Sequence, residues 1–324
     1  MAYDIVVGDL SVRSLDATPL ALGLFRSGED DWGLGPHLLA LDVRRDEFVR
    51  LPIDPSSHGE MLALAHDGRH LLVHGPNPEP HTRFGVGMYT LATGDLRFFD
   101  EGPDGSDFLA SMSPDGRHVA ALVLTNNPDH APVWEDDPHS CLAAVSLIEV
   151  ATGHRRRIWT GPPGGWGAES AIRWSPDGAL IAVTYAKWFD EREDLYDATA
   201  IIEPDGTPIR NVEDSMIPQS NGAWLTNTEL LIVDTYWETD TSENLSVIDV
   251  RTGARRTVGG TSVVLINAVL SDRVIKTDTS KSSGHHLTSY RLDGTDPQPF
   301  ITLPDYTNSF DIAPTLIPAT WTNP

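Results

Sequence analysis

The sequence contains one cysteine, no long apolar run and few basic residues. Because Cys141 is the single cysteine among 324 residues, an internal disulfide is excluded and a reducing compartment is favoured. No apolar run approaches the roughly 20 residues that a membrane-spanning helix requires, so we expect no membrane partner. The first residues have neither the basic nor the apolar segment of a secretory signal. These absences predict a cytoplasmic protein.

Basic side chains are outnumbered by acidic ones. The chain has 23 Lys and Arg residues against 47 Asp and Glu residues, which gives a formal net charge of −24. Such a field repels a phosphate backbone, so we expect no nucleic-acid partner. Solubility accounts for part of the charge. The remaining negative charge indicates a cationic partner if the acidic side chains converge on one surface.

The sequence does contain a repeated hairpin motif. An apolar strand, a tight polar turn and a second apolar strand recur at 62–73, 110–121 and 172–183, and degenerate copies turn at Asn227 and at Ser271-Asp272. Asp or Asn between alternating apolar runs, above all when Gly follows, predicts a hairpin because these residue types tolerate positive φ.

A second hairpin motif alternates with the first. It consists of a strand, a Thr-Gly or Asp-Gly turn and another strand, and it recurs at Thr93-Gly94, Thr152-Gly153, Asp205-Gly206, Thr252-Gly253 and Asp293-Gly294. An early copy near residues 44–46 lacks the glycine. Two alternating hairpins at a period of about 40 to 60 residues are typical of the four-stranded blade of a β-propeller.

Both motifs resemble the TolB-like (PD40) repeat of the WD40-like β-propeller superfamily, in which Ser-Pro-Asp-Gly joins the two inner strands. The match is good at residues 113–116 and 175–178 and partial at 66–68. The resemblance implies an all-β protein, a single propeller domain over residues 1–324. We predict six four-stranded blades, with seven as the alternative.

The functions of named relatives do not follow from this repeat. TolB proteins are exported and have an extra N-terminal domain, whereas this chain shows neither feature. Prolyl-peptidase-like relatives add a hydrolase domain with a Gly-x-Ser-x-Gly elbow, and no such elbow occurs here. We therefore expect neither an envelope role nor a serine peptidase.

Ring closure should join the two ends of the chain, because an open blade would leave exposed strand edges. We expect residues 309–314 to form the innermost strand of blade 1. The N-terminal segments 20–25, 38–43 and 47–52 would supply the other three strands of that blade.

The two faces of such a ring differ in chemistry. Both tight turns lie on one face, and the loops between second and third strands lie on the other, where function usually resides. Four of those loops combine tryptophan with carboxylates. The candidate ligand-binding residues are Trp32, Trp134, Glu135, Asp136, Trp188, Asp190, Glu191, Trp237 and Glu238.

Tryptophan with carboxylates suits a cation, because the indole face attracts positive charge and the acids add Coulomb attraction. An amine, a basic peptide or a sugar stacked on indole would fit. The alternative is that each tryptophan covers the core of its own blade. A Ca²⁺ site assembled across loops is a further possibility, although no segment has EF-hand spacing.

Two classes of function follow. The first is a binding or scaffold protein that captures a cationic peptide, protein surface or small molecule on the loop face. The second is a propeller enzyme of lyase, cyclase or lactonase type, whose active site lies in the central funnel. Such an enzyme would act with or without a bound metal ion. Its acids would come from Asp136, Asp190, Glu191 or Glu238. The absence of a dense catalytic motif favours the first.

Other polar residues have structural interpretations. His70 and His118 occupy equivalent positions at strand starts, and Cys141 opens a predicted strand as a small buried side chain. The arginines of 154–157 and 255–256 should lie at the start of outermost strands, where edge charges block aggregation. Loop histidines are expected to be solvated.

Overall fold

The fold consists of strands throughout the part of the chain that the computed structural model describes. The described residues are 22–27, 37–42, 47–50, 60–65, 68–76, 84–99, 107–129, 141–165, 170–189, 194–218, 223–234, 245–259, 266–270, 273–278, 285–303 and 307–309. Within these ranges there is no helix that would cross a membrane.

The described strands number twenty-four. In chain order they are β1 (Leu22–Ser27), β2 (His37–Asp42), β3 (Glu47–Arg50), β4 (Glu60–Leu64), β5 (His70–Pro76), β6 (Phe84–Thr90), β7 (Asp95–Phe98), β8 (Asp107–Met112), β9 (His118–Asn126), β10 (Cys141–Glu149), β11 (Arg155–Gly165), β12 (Ala171–Trp174), β13 (Ile181–Phe189), β14 (Asp194–Ile202), β15 (Pro208–Glu213), β16 (Ser215–Met216), β17 (Glu229–Asp234), β18 (Leu245–Asp249), β19 (Arg255–Gly259), β20 (Ile266–Leu270), β21 (Arg273–Asp278), β22 (His285–Arg291), β23 (Gln298–Leu303) and β24 (Thr307–Ser309).

These strands form five antiparallel sheets, four of them with four strands and one with eight, in which β11 pairs with β13. We divide the eight-stranded sheet at that pairing and number the six groups of four strands as blades along the chain. Blade 1 contains β24 and β1–β3, blade 2 β4–β7, blade 3 β8–β11, blade 4 β12–β15, blade 5 β16–β19 and blade 6 β20–β23. This is the strand grouping that the repeat predicts. A closed ring of six blades, with seven as the alternative, stays a prediction.

Blade 1 combines the two ends of the chain. Its innermost strand β24 pairs with β1 through Arg26↔Ser309 and Ser27↔Thr307. Strands from both ends of the chain therefore form blade 1, as predicted. The strand β24 begins two residues earlier than expected, and residues 310–314 lie outside the described part. The other three strands of the blade begin and end within a few residues of their predicted bounds.

Both hairpin motifs fold as predicted in their described copies, whereas the turns at residues 43–46, 66–67 and 271–272 lie outside the described residues. In the two Ser-Pro-Asp-Gly turns, the Ser113 hydroxyl donates to Asp115 at 2.6 Å and the Ser175 hydroxyl donates to Asp177 at 2.7 Å. Each serine oxygen also accepts a backbone N–H five residues on, at 2.9 Å in both turns. The glycines of the second motif adopt the positive φ that their turns require, from 77° at Gly94 to 96° at Gly206.

The core lies between neighbouring blades. Successive side chains of a strand point to opposite faces, so Val119 and Ala121 pack against blade 2 while Ala120 and Leu122 pack against blade 4. A similar layer joins blades 4 and 5, where Ile201 meets Leu230 and Ile232 within one cluster. Strands buried on both faces explain the nearly continuous apolar runs of the inner hairpins.

Two of the nine tryptophans join the inner strands of successive blades. The Trp174 indole donates to the Ser111 carbonyl of blade 3 at 3.0 Å, and the Trp224 indole donates to the Arg173 carbonyl of blade 4 at 3.3 Å. Ser111 and Arg173 occupy equivalent positions, each one residue before the end of its strand. Both indoles are buried and have a structural role.

Candidate functional site

The described part of the predicted binding face lies at the end of β13. This strand follows the Ser-Pro-Asp-Gly turn of blade 4 and therefore ends on the opposite, loop-bearing face. We expected residues 187–194, which contain Trp188, Asp190 and Glu191, to form a loop, and this expectation was wrong at both ends. The structure places residues 187–189 in β13 and Asp194 in β14, so the connection spans only residues 190–193. Uninterrupted pairing extends the hairpin because Trp188 and Phe189 suit a strand.

Among the predicted binding residues, Trp188 lies within the described part of the chain. It is half-buried and sits opposite Leu195. By strand alternation it shares a side of β13 with Thr184, the side that faces blade 5. The other candidates lie outside the described residues, so their convergence stays a prediction: Trp32, Trp134, Glu135, Asp136, Asp190, Glu191, Trp237 and Glu238.

A polar cluster occupies the other side of the same strand end. It consists of Tyr185, Lys187, Tyr196, Asn211 and Glu213, and we call it the blade 4 polar cluster. The Lys187 ammonium donates to both oxygens of the Glu213 carboxylate, at 3.1 and 3.2 Å. The same carboxylate accepts the Tyr196 hydroxyl at 2.8 Å and the Asn211 amide at 2.5 Å.

Aromatic rings complete this cluster. The Lys187 ammonium lies 5.5 Å from the centre of the Tyr196 ring, within the range of a cation–π contact. The buried Tyr185 hydroxyl donates to the Asn211 side-chain oxygen at 3.3 Å. Trp159 of blade 3 packs edge-on against the Tyr185 ring, with 5.3 Å between the ring centres. A cation is thus held by one carboxylate and one ring at the junction of blades 3 and 4.

The charges of the cluster are fixed at neutral pH. Burial, reinforced by the negative charge of Glu213, raises the pKa of Tyr185 to about 12. Burial also raises the pKa of Tyr196, as does its hydrogen bond to Glu213. Partial burial by itself lowers the pKa of Lys187, but its hydrogen bonds to Tyr196 and Glu213 together raise it. The cluster therefore holds a cation and is not suited to transfer a proton near neutrality.

Blades 4 and 5 are joined on the Trp188 side by buried hydroxyls. The Thr184 and Thr199 hydroxyls lie 3.2 Å apart, and Thr199 donates to the Ser215 carbonyl at 3.0 Å. The Ile217 N–H donates back to Thr184 at 2.9 Å. Trp188 thus extends from a rigid, fully hydrogen-bonded part of the blade junction.

Sequence reasoning missed Tyr196, Asn211 and Glu213. They lie on two other strands, Tyr196 on β14 and the other two on β15, and they meet Lys187 only through the register of β13, β14 and β15. The one local signal was the alternation of Tyr185 and Lys187, which places both on one side of a strand.

No three His, Cys, Asp or Glu side chains in the described ranges are placed to hold a metal ion. The predicted Ca²⁺ site would use loop acids beyond these ranges, and it stays a prediction.

The remaining interpretations mostly hold. His70 and His118 begin β5 and β9, and Cys141 begins β10, where it is half-buried rather than fully buried. Arg155 and Arg255 begin the outermost strands β11 and β19, as predicted.

No protein-family model matches this sequence, and no curated protein matches it. Solved structures do share its fold. Oligogalacturonate lyase from Vibrio parahaemolyticus has a TM-score of 0.56 at 10% identity, over 86% of this chain and 74% of the lyase. A chain of the nidogen/laminin complex has a TM-score of 0.55 at 11% identity, over 90% of this chain and 98% of that one.

Acylaminoacyl peptidase from Pyrococcus horikoshii has a TM-score of 0.54 at 11% identity, over 89% of this chain and 46% of the peptidase. The lyase and the peptidase are β-propeller proteins. At these identities the similarity concerns the fold alone. The chain accordingly has the β-propeller fold that its TolB-like, WD40-like repeats predict.

Proposed function

We propose that this chain is a cytoplasmic binding or scaffold protein that captures a cationic peptide, protein surface or small molecule on its loop face. One observation supports this most: the acids of the tight-turn face are engaged in holding the turns. Asp115, Asp177, Asp205, Asp249 and Asp293 each accept hydrogen bonds within their own turn. These five aspartates are therefore less available to a ligand, and we infer that the acids that bind it lie on the opposite face.

The loop face supplies such groups beside tryptophan. Trp188 is the penultimate residue of β13, and Asp190 and Glu191 come directly after that strand in the sequence. A cation on an indole face gains about 2 kcal/mol where it is desolvated, and nearby carboxylates add attraction. The half-buried position of Trp188 leaves part of the indole accessible to a ligand.

The test is a calorimetric titration of the full chain with spermidine and with a lysine-rich peptide. Neutralising the loop acids with Asp190→Asn and Glu191→Gln should weaken binding by about tenfold, since each lost charge costs roughly 0.5–1 kcal/mol. The matched control neutralises two exposed acids of the tight-turn face, Asp95→Asn and Glu149→Gln, and should leave binding nearly unchanged. Equal weakening by both pairs would mean that only net charge attracts the ligand, and would contradict the proposal.

The second candidate is an enzyme with its site in the funnel of the same face. The fold shared with oligogalacturonate lyase makes the scaffold compatible with catalysis. Oligogalacturonate is itself a polyanion, which a chain of net charge −24 repels, so that substrate is not proposed. Turnover that disappears on Asp136→Asn or Glu238→Gln, with binding of spermidine unaffected, would favour the enzyme.

A further inference from the structure

We propose that Glu213 and Tyr196 form a binding site for a primary ammonium group, which Lys187 occupies in the free protein and which an external amine takes by displacing Lys187. The inference rests on the proposed function and deepens it. It names the class of cation as an amine or a lysine side chain, rather than a metal ion or a quaternary ammonium.

The geometry around the Lys187 ammonium carries this inference. Both Glu213 oxygens lie within 3.2 Å of the nitrogen, and the Tyr196 ring faces it at 5.5 Å. Asn211 and the Tyr196 hydroxyl each donate to the same carboxylate, so they fix its orientation independently of Lys187. The site therefore remains organised when Lys187 leaves it.

The donor and acceptor pattern selects a primary ammonium. An –NH₃⁺ group has three donors on one small atom and can reach both carboxylate oxygens while it contacts the ring. A quaternary ammonium has no donor and would leave the carboxylate oxygens without their hydrogen bonds. A hard metal ion prefers several carboxylate oxygens, whereas this site offers a single carboxylate.

Exchange of Lys187 for an external amine is energetically easy. The side chains of Lys187 and Glu213 are 26% and 46% exposed, so water and small solutes reach the pair. An ion pair of this exposure stabilises a protein only weakly. The flexible lysine stem can turn into solvent without disturbing the strand, because its backbone pairs with Tyr196 in an uninterrupted ladder.

The position of the site suits a ligand with more than one ammonium. Lys187 lies at the same end of β13 as the connection that contains Asp190 and Glu191. A polyamine whose second ammonium makes another weak contact gains from linkage of the two contacts. A peptide with neighbouring lysines has the same chemistry.

The experiment vacates the site in the full chain with Lys187→Met, which keeps the length of the side chain and removes its charge. n-Butylammonium should then raise the melting temperature by about 1–3 °C in a saturable manner, beyond the effect of equal tetramethylammonium. Wild-type protein should show the same preference at higher butylammonium concentration, because the amine must first displace Lys187. Lys281→Met, which makes the same charge change elsewhere in the chain, is the matched control and should behave as wild type.

Two further variants complete the test. Adding Glu213→Gln to Lys187→Met should abolish the butylammonium effect, and a rise that persists would overturn the site, as would equal responses to both amines. Should Lys187→Met fail to fold, Glu213→Gln alone should weaken spermidine binding about two- to fivefold; unchanged binding would overturn the site. Spermidine binding to wild type together with no butylammonium effect in Lys187→Met would overturn the ammonium site and leave the proposed function standing.

Discussion

At the scale of the residue, Tyr185 shows how burial sets a chemical property. Its ring is nearly inaccessible at 1% exposure, and it packs between Trp159 and the blade 4 polar cluster. Its phenol is held neutral because a phenolate there would be desolvated and close to the Glu213 carboxylate. The folded state therefore binds the phenol proton more tightly than the unfolded state does.

This difference predicts a loss of stability at alkaline pH. The pKa of Tyr185 is about 12 in the folded protein, against 10.0 for an unperturbed tyrosine, so its contribution is fully present below pH 10 and is lost as pH rises towards 12. Between pH 9 and pH 11 we expect the free energy of unfolding of wild type to fall by about 1 kcal/mol more than that of Tyr185→Phe. Urea unfolding at pH 9, 10 and 11 would measure it; parallel curves for the two proteins would refute the assignment.

At the scale of the element, the tight turns both close each blade and attach it to the next. Outer-strand arginines donate to turn carbonyls of the following blade: Arg97 to Val150, Arg156 to Pro204 and Arg210 to Val250, each at 2.9 Å. The sequence analysis explained the arginines of 154–157 as edge charges alone. The structure adds contacts between blades to that role.

Arg156 and Arg157 allow this linkage to be tested within one strand. Arg156 bonds to blade 4, whereas Arg157 bonds to Thr125 within its own blade. Arg156→Met should lower the free energy of unfolding by about 1 kcal/mol more than Arg157→Met, because it removes a contact between blades. Equal losses in chemical denaturation would show that the contact to Pro204 is not stabilising.

Gly206 gives a second test of blade attachment, with Gly116 as its control. Both glycines have positive φ, at 96° and 70°. A Cβ at Gly116 would meet nothing within 4 Å, whereas a Cβ at Gly206 would collide with the Ile158 carbonyl of blade 3. Gly116→Ala should cost about 1–2 kcal/mol of backbone strain, and Gly206→Ala at least about 1 kcal/mol more. Thermal unfolding of the two variants compares them directly, and a smaller loss at Gly206 would contradict this packing.

The structural elements that the sequence predicts correctly are those that depend only on residues close together in the chain. Asp177-Gly178 predicts its hairpin because both residues act within one turn, and the paired network at Ser175 is the result. The extension of β11 was not predictable. Gly164 and Gly165 leave blade 3 and pair with Lys187 and Ala186 of blade 4, a contact fixed only by the packed blades.

At the scale of the whole molecule, the fold depends on local sequence signals, whereas the site depends on contacts between distant residues. Periodic turns specify a propeller without knowledge of any contact, since each copy repeats the same local chemistry. The blade 4 polar cluster instead requires three strands in register, with Glu213 and Lys187 separated by 26 positions. Sequence therefore indicated which face to examine, and it did not identify Glu213 or Tyr196 on that face.

The net negative charge can be considered separately for the two faces of the molecule. Aspartates of the tight turns are engaged in local hydrogen bonds, and Arg156 and Arg210 of that face bond to the following blades. We propose that the loop face combines tryptophan with the acids that bind a partner. The central claim is that indoles of this face bind a cation and do not merely cover their blades.

Replacing Trp188 and Trp237 together tests that claim most directly. Spermidine binding should be measured by calorimetry, and the melting temperature determined on the same samples. We predict that Trp188→Ala with Trp237→Ala weakens binding at least about tenfold while the melting temperature changes by less than about 4 °C. The corresponding phenylalanine pair should retain part of the affinity. A collapse of the fold, or binding equal to that of wild type, would contradict the account.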